Sequence, residues 1–416
     1  MSIPIVLDKS TFQGFNYEDI IELHKYYIVN ITPLLVSEIL GDLAKEEKAG
    51  RKTPKDQVTD LAKKMFPYNA YVNMNYSVLV EKSLTGEFTT ADNRPFLNAA
   101  KSISTPTKKG MTFVETPEEL SIKRWKKGEF DKLDEIIAEV WRTESKDEKV
   151  VEEFKGKFDH LKDIKIKDHK PSNEEKFLAL KERLQERLYV ELEPEDTLNL
   201  VIDYFEINPD LRESIQARWK NESHPDLQSL ANYAMYCYEV VCLYFIGINN
   251  SLCGERLTNL LDLEYLFYVP FARVFSTNDK FLKNLFFAVQ PADTFFVTLP
   301  ELKDDFKKFK EVNEEGKVFD EPPVKDTETY RIWDNIFDMA LTRRLKPSKA
   351  ELKEKEAEFE EILKIAETGA EGKFEGEGDF VVKETFMSPD DPCFCKSGKP
   401  FKDCHLKGKM IDGKQY

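Results

Sequence analysis

The chain has 416 residues, of which 33% are charged and 41% apolar, with 30 Phe and 16 Tyr; this is enough apolar and aromatic material to close a sizeable core and excludes wholesale disorder. A formal net charge of −16 disfavours a general polyanion binder, because the bulk field repels phosphates and any nucleic-acid contact must be local. Six cysteines are too few for a disulfide scaffold in a chain of this length.

The opening residues, MSIPIVLDKS, lack a basic start followed by a long apolar stretch, and the longest apolar run, around Val240 to Ile248, is far short of a membrane span; the expected location is the cytoplasm. Residues 4 to 8, Pro-Ile-Val-Leu-Asp, predict a buried first strand that delivers Asp8 to a sheet edge. A helix is expected from Tyr17 to Tyr26 and a second strand over Tyr27 to Ile31, after which Thr32 and Pro33 form an N-cap and first-turn pair opening a helix through Leu43. Strand, helix, strand, helix in this order is an α/β opening with a parallel sheet.

From about Lys45 to Ser223 the pattern turns long, charged and mostly helical, with breaks at Pro54, Pro67, Pro95, Pro106, Pro171 and Pro194. Basic groups occur at Lys108-Lys109, at Lys123 to Lys127 around Trp125, and at Arg343-Arg344. Each reads as a solvated face or as a local strand contact, and the group around Trp125, with a ring among its cations, is the best of them for contacting a nucleic-acid strand. From Asp226 an aromatic helix runs through Tyr233, Tyr236, Tyr244 and Phe245 at core spacing, and Cys237, Cys242 and Cys253 read as buried thiols. The α/β grammar returns where Asp262 to Leu266 is expected to open a helix, Ala272 to Ser276 to form a strand ending at Thr277-Asn278-Asp279, and Thr294 to Thr298 a last strand. After Pro347 come a charged helix, Lys349 to Ala366, and a Gly-rich linker over residues 369 to 379.

Cys393, Cys395, Cys404 and His405 supply three sulfurs and one imidazole, a complete tetrahedral set for structural Zn²⁺, with Ser397-Gly398 reversing the chain between the halves. The alternative is three reduced surface thiols beside a histidine. Over residues 390 to 407 this segment resembles the SEC-C motif, a short zinc-binding tail found on otherwise unrelated proteins. The resemblance implies docking to a partner such as a ribosome or chaperone, and four protein ligands leave no open metal position for catalysis.

Four acids recur where an α/β sheet would gather them: Asp8 after the first strand, Glu38 on the helix after the second, Asp262, and Asp279 after a later strand. Clustered carboxylates repel, and a hard divalent cation is the usual reason to assemble them. Singly, each reads equally well as a helix cap or a surface charge. Together, Ile5 to Ser10, Ile31 to Glu38, and Asp262 leading to Ser276-Thr277-Asn278-Asp279 resemble a PIN domain. That resemblance implies a metal-dependent ribonuclease in which Asp8, Glu38, Asp262 and Asp279 bind Mg²⁺ or Mn²⁺, with Ser10 or Thr11 a hydroxyl near the site and RNA the substrate. Asp42, one turn beyond Glu38, is expected behind the site or solvated, and Glu264 is expected to point away from Asp262.

The fold class expected is α/β, a PIN-like parallel sheet with helices on both faces, a large mainly helical insertion and a small C-terminal zinc knuckle. The corresponding division is a PIN-like body over residues 1–345, with sheet parts about 1–45 and 226–300 and the insertion about 46–225, then a charged helix and linker over 346–388 and the zinc segment over 389–416. The competing function is a catalytically silent interaction protein whose tail docks a ribosome or chaperone.

Overall fold

The computed structural model describes residues 3–47, 50–65, 70–87, 93, 100–104, 109–113, 116–144, 148–166, 172–313, 322, 324–343, 410–411 and 414–415. The first strand, β1 (Ile3–Leu7), is an apolar run with no polar alternation, the pattern of a strand covered on both faces, and Ile5, Val6 and Leu7 are buried. Asp8 ends the strand and caps α1 (Lys9–Gly14). A capping box between Asn16 and Asp19 opens α2 (Tyr17–Tyr26), which passes directly into β2 (Tyr27–Ile31). Thr32 caps and Pro33 opens α3 (Pro33–Gly41). This helix ends earlier than the pattern predicts, and one tight 3₁₀ turn, Asp42–Ala44, follows it.

The chain continues through α4 (Pro54–Lys64), β3 (Ala70–Val72), α5 (Tyr76–Thr85), β4 (Ala100–Ser104), β5 (Lys109–Phe113) and α6 (Pro117–Trp125). Next come α7 (Lys132–Glu144), α8 (Glu148–Lys157), α9 (Asn173–Glu186), α10 (Pro194–Tyr204), α11 (Pro209–Asn221) and α12 (Leu227–Asn249). The last elements are α13 (Leu257–Phe267), β6 (Val274–Ser276), α14 (Lys280–Val289), β7 (Phe295–Phe296), α15 (Leu299–Asn313), α16 (Glu328–Arg343), β8 (Met410–Ile411) and β9 (Lys414–Gln415).

Five strands form one sheet in the order β3-β2-β1-β6-β7, and every pairing is parallel. Ile5 stands opposite Val29 on one side and Val274 on the other, so β1 is central. The third strand, β3, corrects the expected layout, because it lies inside the stretch read as a helical insertion. Three residues are too short to show a strand period in the sequence.

Chain compactness defines two units. One comprises Met1–Ala99 and Val114–Ala340 and holds the five-stranded sheet; the other comprises Ala100–Phe113 and Leu341–Tyr416. In the second, β4 and β5 pair antiparallel from Ala100 with Phe113 to Ser104 with Lys109, and β8 pairs with β9. The expected charged helix, the Gly-rich linker, the four zinc ligands and the side chains of Lys108, Lys109, Arg343 and Arg344 lie outside what is described.

Within the first unit the long helical stretch and the sheet share one core: Trp125, Phe158, Phe177 and Leu198 belong to the same buried cluster as Ile5, Val29 and Phe275. The seventh helix packs on α3, and α9 packs on α12 and α14. A Cβ on Gly41 would collide with the Trp141 indole, so glycine here lets α7 lie close on α3, the helix that carries Glu38. The most apolar window of α12 is 89% buried within the protein, as befits a core helix. Tyr233, Tyr244, Phe245, Cys237 and Cys242 are buried and Cys253 is partly so.

Trp125 is also in the core, at 1% exposure, which removes it as a ring for stacking on a base. Its neighbour Arg124 is ion-paired with Asp131 and Asp134. The expected aromatic contact is therefore corrected, while Lys123 on α6 and Lys127 just beyond it are exposed.

Candidate active site at the carboxyl edge of the sheet

From β1 the chain lays β2 and β3 to one side, then returns across to place β6 and β7 on the other. The strand order reverses between β1 and β6, and in an open parallel sheet the crevice beyond the carboxyl ends of the strands at such a point is where ligands bind. Asp8 follows β1 there and the Thr277-Asn278-Asp279 turn follows β6.

Hydrogen bonds tie the two strand ends together. Oδ1 of Asp8 accepts the Thr11 N–H at 2.8 Å, and its Oδ2 accepts the hydroxyls of Ser10 at 2.7 Å and Thr277 at 2.8 Å. Thr277 Oγ1 in turn accepts the Asp279 N–H at 2.9 Å, and Ser10 Oγ accepts the Asn278 N–H at 3.3 Å. Asp279 caps α14, its Oδ1 taking the N–H groups of Phe281 and Leu282 at 2.6 and 3.0 Å. Both acids are thus helix caps as well as candidate ligands, and a carboxylate has lone pairs enough for both.

The other two acids come from helices. Glu38, on α3, accepts a short hydrogen bond from the Tyr265 hydroxyl through Oε2. Tyr265 Oη also accepts the Lys9 backbone N–H at 3.2 Å. Asp262 precedes Tyr265 by three residues on α13, so the two share a helix face. It lies within α13, which starts at Leu257, rather than opening the helix as the sequence suggests.

Burial and then the charges of Glu38, Asp279 and Asp8 push the Asp262 carboxyl up to about 8, with Lys9 opposing them. All four acids therefore share one electrostatic neighbourhood. Burial also raises Glu38, offset by Lys9 and the Tyr265 hydroxyl. Asp42 is buried and holds Lys9 at 2.7 Å and Lys45 at 2.6 Å, so it anchors cations beside the site. Glu264, expected to point away, is partly buried and is raised to about 8 by burial and by the charge of Glu38.

The cation found among these acids is Lys9, whose ammonium donates to the Glu38 carbonyl and to Asp42, both at 2.7 Å. Neither Lys9 nor Tyr265 is singled out by sequence reasoning, although Lys9 adjoins Asp8 and Tyr265 is one turn from Asp262. Among the described residues, no three His, Cys, Asp or Glu side chains are placed around a common point as the ligands of one ion would be. Among the described residues, no hydrogen bond engages Asp262 or Oδ2 of Asp279.

Comparison with known proteins bears on the tail alone. Residues 391–407 match the SEC-C motif. No curated protein and no solved structure matches the chain. The SEC-C match spans Cys393, Cys395, Cys404 and His405, and zinc binding by these four is consistent with it.

Proposed function

We propose that this chain is a PIN-like, divalent-metal-dependent nuclease that hydrolyses RNA, with the SEC-C tail binding structural zinc and docking a partner. The reading rests on one observation: at the switch between β1 and β6, Thr277 ties Asp8 to the turn that carries Asp279, and Tyr265, one helical turn from Asp262, holds Glu38. Carboxylates assembled at such a cost in repulsion are a functional-site signature. Asp262 and Asp279, with oxygens open to a ligand, would hold Mg²⁺ or Mn²⁺, and Asp8 and Glu38 would complete its charge. When bound, such an ion supplies Lewis-acid charge for a phosphodiester and lowers the pKa of a water. The Tyr265 hydroxyl fixes Glu38, the Thr277 and Ser10 hydroxyls fix Asp8, and Lys9 is held beside them by the Glu38 carbonyl and Asp42.

The test is cleavage of a labelled RNA with Mn²⁺ or Mg²⁺ by wild type, Asp8→Asn and Asp279→Asn, each checked for folding. We expect metal-dependent cleavage by the wild type and loss of at least about 100-fold in both variants, the scale of removing groups that act on transition-state charge. Equal cleavage by all three, or none by the wild type with either metal, would overturn the reading. A second reading, a silent body whose tail docks a ribosome or chaperone, is equally compatible with the SEC-C match and takes over in the latter case.

A further inference from the structure

On a chain of net charge −16, one hollow is locally cationic. It has a volume of about 560 Å³ and is lined by residues of α1, α2 and α4 with Lys52, among them Gln13, Tyr17, Gln57, Lys63 and Lys64. We propose that this hollow, at the far end of α1 from Asp8, seats a single strand of RNA, an inference that rests on the nuclease reading and gives its substrate a place to bind.

The three lysines differ in what they can offer. Lys64 donates to the carbonyls of Gln13 and Phe15 at 3.3 and 2.5 Å, closing the end of α1, and burial lowers its pKa. Lys52 is paired with Asp60, the acid in the lining. Lys63 is exposed, and among the described residues no carboxylate pairs with it, so its ammonium is available to a phosphate. Tyr17 is 52% exposed, a large ring left in water at the first turn of α2, where a base could stack. Gln57 donates its amide N–H to the Lys52 carbonyl at 3.0 Å, which leaves the side-chain oxygen for a base edge. A ring, amide groups and a cation surplus are what sequence-tolerant single-strand binding uses.

Position argues for the same occupant. Gln13 is near the last turn of α1 and Asp8 is its N-cap. A six-residue helix is about 9 Å long, so one short helix separates the acid that caps it from the residue that lines the hollow.

The experiment is fluorescence anisotropy of the full chain with a labelled oligouridylate of roughly 12 nucleotides, within the span of a single-strand site, without added Mg²⁺ or Mn²⁺. We expect Tyr17→Ala to weaken binding by about fivefold or more. Lys63→Gln should lower the slope of log affinity against log salt by roughly 0.7 to 1. Both side chains are exposed, and melting curves confirm that the variants fold. Unchanged affinity in Tyr17→Ala, an unchanged salt slope in Lys63→Gln, or no binding by the wild type each overturns the proposal. Because the assay reads binding without cleavage, its outcome is separable from that of the Asp8→Asn and Asp279→Asn cleavage test.

Discussion

In Asp262→Asn the carboxylate among Glu38, Asp279 and Asp8 becomes a neutral group of the same shape, and the pH dependence of folding stability should change with it. In the folded chain this carboxyl is raised from its ordinary 3.8 to about 8, first by burial and then by the three acids. A raised acid holds its proton more tightly folded than unfolded. Its contribution is therefore fully present below pH 3.8 and is lost as pH rises toward 8. At about 1.4 kcal/mol per unit, the wild type loses on the order of 3 kcal/mol between pH 5 and pH 7 through this group. Solvent reaches part of the side chain, so an observed change on the order of 1 to 3 kcal/mol is expected. Asn has no such ionisation. Urea unfolding of both proteins at pH 5 and pH 7, without added divalent metal, should show the variant gaining on the wild type toward pH 7. Glu264, also raised to about 8, is present in both and largely cancels in the difference. A stability gap that is the same at the two pH values would refute the claim that the four acids share one electrostatic neighbourhood.

Tyr265→Phe leaves Glu38 Oε2 and the Lys9 N–H without the hydroxyl that joins them. Groups that orient a metal ligand typically contribute 10- to 100-fold, so Mn²⁺ affinity by titration calorimetry should fall by about tenfold or more; an unchanged affinity would show that Glu38 needs no clamp. Cys395→Ser should lower the zinc content measured by mass spectrometry while leaving RNA cleavage in place. Cleavage falling in proportion to zinc would contradict the separation of tail and body.

Some of this protein can be read directly from its local chemistry. Thr32-Pro33 marks the start of α3, Asp226 caps α12, and the unbroken apolar run before Asp8 gives a doubly covered strand, because caps and burial patterns act over a few residues. Asp8 and Asp279 are legible in the same way, as residues just after strand ends, whereas Glu38 and Asp262 lie inside helices. Tertiary structure decided the rest. The α13 start has no side-chain cap at Arg256, so nothing local marks Leu257 and Asp262 looks like the opening residue. A basic run around Trp125 reads alike whether its ring faces water or the core, and packing of α6 buried it. Strand order, which sets Thr277 beside Asp8 across 269 residues, and the pairing of Tyr265 with Glu38 across 227 follow from how the elements pack. Sequence separation carries no information about distance once the chain folds back on itself, and a charge cluster is a property of distance.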